Sequence, residues 1–526
     1  MSENATVARA AGVVGGATLL SRVMGYVRDA ATAWFFGASM SADAFFVAFR
    51  IPNLLRRLLA EGALTIAFIP VFSEYLERKG KEEAFEMAGV IFRLLVLVLC
   101  AVSALGIVFA PEIVKVMAPG FARDPEKLRL TILLTRITFP YIFFAALVAL
   151  AMGVLNSLGH FAAPALSPVF LNLAMIASIV WIAPETRPPV VGLGIGVLLG
   201  GAAQLVLQIP FLVKRGFRFF DRFTLYHKAV KRILLLMGPA VLGAAVYQIN
   251  VTVGTILASL LPAGSVSFLY YADRVVELPL GVFGIAMATA ALPTMSRQAA
   301  RRDHAGFMES FSYTIRLTLF ITLPATVGLI VLREPIVKLL FERGAFDPES
   351  ARQTAVALFY YALGLCFFSA VRIVVPTFYA LQDTWTPVRI AIWSMLANAV
   401  FSLALMGSML HGGLALSTSL SAVVNLLLLT SNLKKRLGLL GGRAISKSFA
   451  RSLFCSLVMG VVVWAAGKLL FPAAQLSTLA LGWRTAACIL AGVAAYVTVS
   501  RMVAAQEFSW ALSMVRRRGG SHGRKK

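Results

Sequence analysis

The chain has 526 residues, 59% of them hydrophobic and only 14% charged. A soluble globular protein carries roughly a quarter charged residues, so a water-soluble fold is excluded. Net charge is +25. In a soluble protein that would suggest nucleic acid. Here apolar runs of about twenty residues recur from end to end, and the excess Lys and Arg read as loop residues placed by the positive-inside rule.

The apolar runs predict about fourteen membrane helices, in an all-α polytopic fold. The approximate windows are 10–36, 42–72, 87–110, 131–157, 162–183, 190–213, 232–258, 266–295, 311–332, 353–380, 386–409, 412–433, 449–471 and 478–501. The polar start before residue 9 and the long, charge-interrupted first run are unlike a cleavable secretory leader. The first window holds Arg22, Arg28 and Asp29, with Gly25 available for a bend or close packing. The second holds Asp43, Arg50, Asn53, Arg56, Arg57 and Glu61. In an unbroken helix, Asp43, Arg50 and Arg57 share a face, and so do Asn53, Arg57 and Glu61. Arg56 points about a hundred degrees away from Arg57. Pro52 predicts a kink whose freed backbone groups a cavity can hydrate. The eighth window adds Asp273, Arg274 and Glu277.

A charge near the bilayer centre costs from ~3 to more than ~10 kcal/mol, so these residues should face protein or water. Arg57 with Glu61 and Arg28 with Asp29 fit local ion pairs. Helical spacing gives Arg22, Arg28 and Arg274 no dedicated partner. Guanidinium is suited to phosphate, because its planar fork stays protonated and donates bidentate hydrogen bonds. Arg93, Arg136, Arg316 and Arg372 lie near span ends or alone, where snorkelling is the expectation. Asp383, in the turn 382–387, is expected to cap a helix.

Basic stretches at 214–232, 434–451 and 516–526 fall on one face if the span count is even, which predicts cytoplasmic termini. An internal repeat divides the same chain. Residues 113–117 resemble 336–340 at an offset of 223, as do Pro70, Ser73 and Arg129 with Pro293, Ser296 and Arg352. Leu155, Asn156 and Asn172 match Leu381, Gln382 and Asn398 at 226, and Gly192-Leu193 matches Gly413-Leu414 at 221. The expected organisation is a lobe at 1–217, a second at 218–440, two extra helices at 441–505 and a basic tail at 506–526. Two parallel six-helix lobes would flank a central cavity.

No P-loop, HExxH or nucleophile elbow is present, and the five histidines are scattered. Cys100, Cys366, Cys455 and Cys488 have neither disulfide nor metal-ligand spacing. No catalytic residue, metal or cofactor is expected.

The run Leu20-Ser21-Arg22-Val23-Met24-Gly25-Tyr26-Val27-Arg28-Asp29, the segment from Ala42 through Arg57, Ala60-Glu61-Gly62-Ala63, Tyr271-Ala272-Asp273-Arg274 and Glu277-Leu278-Pro279 together resemble the MurJ (MviN) family of lipid II flippases. The resemblance spans essentially the whole chain. It implies the fold of the multidrug/oligosaccharidyl-lipid/polysaccharide exporter superfamily, with two C-terminal helices forming a groove for a polyprenyl tail. It implies a transporter, not an enzyme, in the bacterial inner membrane. The cargo would be undecaprenyl-pyrophosphoryl-MurNAc-pentapeptide-GlcNAc, with the cell-wall synthesis machinery as a possible partner and no nucleic acid. Arg22, Arg28, Arg56 and Arg274 match its cavity arginines. Asp29, Asp43, Asn53, Glu61 and Glu277 match further sensitive positions, with Arg50, Arg57 and Asp273 of second rank. Some members bind sodium through carboxylates, where this chain has Asn250 and Asn398. A sodium site is therefore not supported, and membrane potential or another ion gradient is the expected energy source.

The rivals are a flippase for another polyprenyl-diphosphate glycan, such as an O-antigen unit, and a membrane-embedded glycosyltransferase. A cationic-drug exporter would want an acidic cavity, and a channel would pass steady current.

Overall fold

A computed structural model describes residues 3–58, 64–219, 224–438, 441–471 and 477–510, with side chains from residue 12 onward except at 239, 240, 242–244, 282, 283, 285 and 286. Among the described residues there is no strand. That is the expected solution for a chain in hydrocarbon, because a helix satisfies its backbone polar groups internally. Two compact units form. One is Met1–Ser267 with Arg343–Phe346, and the other is Phe268–Glu342 with Asp347–Lys526.

In the first unit the helices are α1 (Glu3–Phe36), α2 (Met40–Leu55), α3 (Thr65–Arg78), α4 (Lys81–Val108), α5 (Ala110–Met117), α6 (Pro125–Thr138), α7 (Tyr141–Ser157), α8 (Ala162–Trp181), α9 (Val190–Lys214) and α10 (Lys228–Ser259). Helix α11 (Ser265–Pro279) begins there. The second unit continues with α12 (Ile285–Ala300), α13 (His304–Val331), α14 (Arg333–Phe341), α15 (Pro348–Ala380), α16 (Trp385–Leu437), α17 (Gly442–Leu470) and α18 (Thr478–Met502). Phe68, Phe72, Met87, Leu155 and Ile233 build the main core of the first unit. Phe311, Ile373, Phe378 and Leu429 build that of the second.

The internal repeat is visible in the helix starts. Lys81 and His304, Ala110 and Arg333, Pro125 and Pro348, and Ala162 and Trp385 open matching helices, each pair 223 positions apart. The caps repeat too. The Asp124 side chain accepts from the amides of Glu126 and Lys127 at 3.1 Å, and Asp347 accepts from Ser350 at 2.8 Å. Each acid stands before a proline at the first helical position, where the missing N–H removes a donor that would be orphaned anyway.

Nine described helices are long and apolar enough to cross a membrane. They take in the predicted windows except 10–36, 42–72, 232–258 and 266–295; within 232–258 only Ala245–Ser259 stands out, as a shorter apolar helix. Windows 386–409 and 412–433 are the two helical segments of α16, which meet at a kink at Leu410 (φ 51°, ψ −133°). Windows 42–72 and 266–295 share another feature. In each, a proline precedes a stretch of π-helix: Pro52 before residues 56–58, and Pro279 before Leu280–Gly284. Pro52 has no N–H for the Ala48 carbonyl one turn back. The Thr138 hydroxyl, which donates to the Leu134 carbonyl at 2.9 Å, lies 3.4 Å from the Ala48 carbonyl.

At the end of α1, Gly37 (φ 63°) packs against Ala345, and Gly344 (φ 57°) against Trp34. A Cβ on either glycine would collide with backbone, so both the left-handed conformation and the close approach require glycine. The Ala345 amide donates to the Trp34 carbonyl at 2.8 Å.

Helices α17 and α18 pack on α13 through Cys455, Met459, Val463, Cys488 and Tyr496, with Phe320 opposite. The Tyr496 hydroxyl donates to the Phe320 carbonyl at 2.6 Å. Three cysteines are buried in this apolar packing or in the core, Cys100 is exposed, and all four are free thiols.

Candidate functional site

Helix α1 presents Arg22 half-buried, Arg28 mostly enclosed and Asp29 buried. The Arg28 guanidinium donates from Nε (3.0 Å) and Nη2 (2.6 Å) to Asp29 Oδ1, and from Nη1 to Asn172 Oδ1 at 3.0 Å. Asn172 lies on α8, which packs along α1. Its amide Nδ2 donates to the Ser21 carbonyl at 3.2 Å. Gly25 faces this amide, and a Cβ there would make only an ordinary contact at 3.8 Å. The local pair expected for Arg28 and Asp29 is therefore present, and Asn172 is a partner that helical spacing could not supply. Its mark in the sequence was its place in the repeat opposite Asn398.

The second predicted stretch divides. Asp43 is only 1% exposed. It receives Lys127 Nζ (2.8 Å), the amides of Gly264 (2.8 Å) and Ser267 (2.9 Å), and the Ser267 hydroxyl (2.7 Å). A carboxylate at the first turn of α11 also meets the positive end of that helix dipole. This geometry gives Asp43 an architectural duty, joining α2, α6 and the start of α11. Further along, Arg56 donates from Nε (3.1 Å) and Nη2 (2.9 Å) to Asn53 Oδ1. Asn53 engages Arg56 three residues on, an ordinary helix-neighbour spacing, and the winding turns to π at residue 56. Arg50 and Arg57 are half-buried. Glu61 lies outside the described residues.

In the second unit, Arg274 Nη1 donates to Glu277 Oε2 at 2.7 Å, and its guanidinium stacks 4.9 Å from the Tyr270 ring centroid. Asp273 is exposed. Asn250 is half-buried on α10 and Asn398 buried on α16. Among the described residues, no group of three or more His, Cys, Asp or Glu side chains converges to hold a metal ion.

Two arginines expected to snorkel do not. Arg93 is buried and donates to the Thr224 carbonyl at 3.1 Å. Arg316 is enclosed by a segment beyond α18: Nη2 lies 2.6 Å from Glu507 Oε1, and Gln506 accepts at 2.9 Å. Arg136 and Arg372 are exposed, in keeping with the expectation. Asp383 Oδ1 accepts from the amides of Trp385 (3.1 Å) and Thr386 (3.0 Å), which is the cap the turn predicted.

The arrangement offers guanidinium groups held in helices that also carry long apolar faces. It suits an anionic headgroup on an apolar tail better than a soluble anion. The family model described as lipid II flippase MurJ matches residues 32–483. A probable lipid II flippase MurJ from Vibrio cholerae is 40% identical over 424 residues, covering 79% of this chain and 81% of that protein. The solved structure of a lipid II flippase MurJ in an inward closed conformation superposes with a TM-score of 0.79 at 28% identity, covering 93% of this chain and 98% of that one. An inward-facing multidrug resistance MATE family transporter of the MOP superfamily shares the fold at a TM-score of 0.66 and 16% identity, with 81% and 98% covered. By a match spanning most of its length, the chain belongs to the lipid II flippase MurJ family.

Proposed function

We propose that this protein translocates lipid II, undecaprenyl-pyrophosphoryl-MurNAc-pentapeptide-GlcNAc, from the cytoplasmic to the periplasmic leaflet of the bacterial inner membrane. It acts as a transporter and forms no covalent intermediate. The observation that carries the reading is Arg28, a mostly enclosed guanidinium held by Asp29 and Asn172, in a chain of this family.

In the mechanism, Arg22, Arg28, Arg56 and Arg274 take the diphosphate as bidentate donors. Asp29, Asn53 and Glu277 hold those side chains in register. The polyprenyl tail stays in lipid or along α17 and α18, so its apolar area never crosses water. Headgroup binding must differ between the inward-open and outward-open states, because only differential affinity shifts a conformational equilibrium. Both termini are cytoplasmic in this reading, supported by the basic stretches at 214–232 and 434–451. Membrane potential resets the carrier, at about 2.3 kcal/mol per net positive charge moved across 100 mV. No sodium site is assigned, since neutral amides at Asn250 and Asn398 bind a hard cation weakly.

The test is a translocation assay in proteoliposomes with lipid II, run with and without an imposed voltage. Headgroups should reach the far leaflet, faster with the inside negative. Failure to move lipid II while another polyprenyl-diphosphate glycan moves would select the O-antigen-type reading. Product formation in detergent, without separated leaflets, would select a transferase.

A further inference from the structure

We infer that Asn172 is a positioning residue for lipid diphosphate, acting through Arg28; the inference rests on the proposed function. Asn172 is buried on α8 and uses both ends of its amide. The Ser21 carbonyl can only accept, so the NH2 end must face it. That fixes the carbonyl end toward Arg28 Nη1. Asp29 holds the opposite side of the same guanidinium, through Nε and Nη2. Gripped from two helices, the plane of the guanidinium has one orientation. Bidentate phosphate recognition depends on that plane.

The residue type is informative. Asparagine supplies one donor and one acceptor with no charge. Alanine would remove the bond from α8 to the Arg28 guanidinium. Aspartate has nearly the same shape, but it could not donate to Ser21 and would turn the neutral Arg28–Asp29 pair into a net anion. That would repel a diphosphate. A residue that served only to join α1 to α8 would not distinguish these cases by the charge of the ligand.

The experiment uses the full-length protein in detergent and two probes, undecaprenyl diphosphate and undecaprenol, with affinities read by native mass spectrometry. N172A should weaken diphosphate binding about tenfold, the worth of one hydrogen bond to a charged group. N172D, which preserves volume and guards against misfolding, should weaken it more. Neither should change undecaprenol binding. In an R28A background, N172A should have no further effect. Equal losses for both lipids, an undiminished loss in the R28A background, or wild-type diphosphate binding by N172A and N172D while R28A binds weakly would each overturn the inference. If R28A itself binds the diphosphate as wild type does, the proposed function falls first, and the two failures are thereby separate.

Discussion

Arg28 and Arg316 look alike by the usual measures. Their side chains are 13% and 15% exposed, and each lies 2.6 Å from a carboxylate oxygen. What differs is where the carboxylate comes from. Asp29 is the next residue in the chain, so that ion pair forms within α1, and the bond from Arg28 to Asn172 on α8 is to a neutral amide. Glu507 is 191 residues from Arg316. Its segment also brings Gln506, and Trp510 under the guanidinium at 4.7 Å. Trp510 in turn packs against Tyr313 on α13. Arg316 is thus a rivet between α13 and the segment after α18. Arg274, paired with Glu277 three residues along its own helix, belongs with Arg28. Burial does not separate these arginines; the chain distance to the carboxylate partner does.

The comparison breaks most visibly in transport. R28A or R274A should abolish complementation of a depleted strain while the protein is still produced and inserted. If either variant supports normal growth, locally paired arginines are not the working ones. R316A should do the reverse. Removing one member of a buried pair strands the other and costs about 3–5 kcal/mol. A large drop in melting temperature in detergent is the expected reading, with headgroup binding retained by the folded fraction. The double replacement R316M/E507L should recover most of that loss, because a packed apolar pair avoids both desolvation penalties.

The same rivet should respond to acid. Burial alone would raise the Glu507 carboxyl, but hydrogen bonds and the Arg316 charge outweigh it and hold the group below the usual glutamate range. A folded-state value below the unfolded one means the contribution is complete above the unfolded value, near 4.5. It fades as pH falls toward and through the folded value. Thermal stability of the wild type should therefore decline below about pH 4.5 more steeply than that of R316M/E507L. Parallel curves would mean that Glu507 carries no charge-dependent load.

What the sequence disclosed follows from this distinction. Periodic and local features were legible: the apolar windows, the repeat that returns as paired helix starts, the Asp383 cap and the Arg28–Asp29 pair. Features set by distant segments were not. Thr224 lies 131 residues from Arg93, and Gly264 and Ser267 lie more than 220 from Asp43. Neither spacing nor composition can join such groups.

The smallest effect is expected where a distant pair is open to water. Asp383 Oδ2 meets Arg436 Nη2 at 2.7 Å, joining the turn before α16 to the end of that helix. By chain distance this pair resembles the Arg316 rivet, yet the Arg436 side chain is 49% exposed. Solvent and salt screen it, leaving about 0.2–1 kcal/mol. The cap formed by Asp383 Oδ1 is worth about 1 kcal/mol on its own. D383N keeps an acceptor for the Trp385 and Thr386 amides and loses only the charge, whereas D383A loses both. D383N and R436Q should therefore lower stability by the same small amount, less than D383A does. The D383N loss should also shrink in high salt. Were D383N to match R316A in damage, chain distance alone, without burial, would govern these pairs.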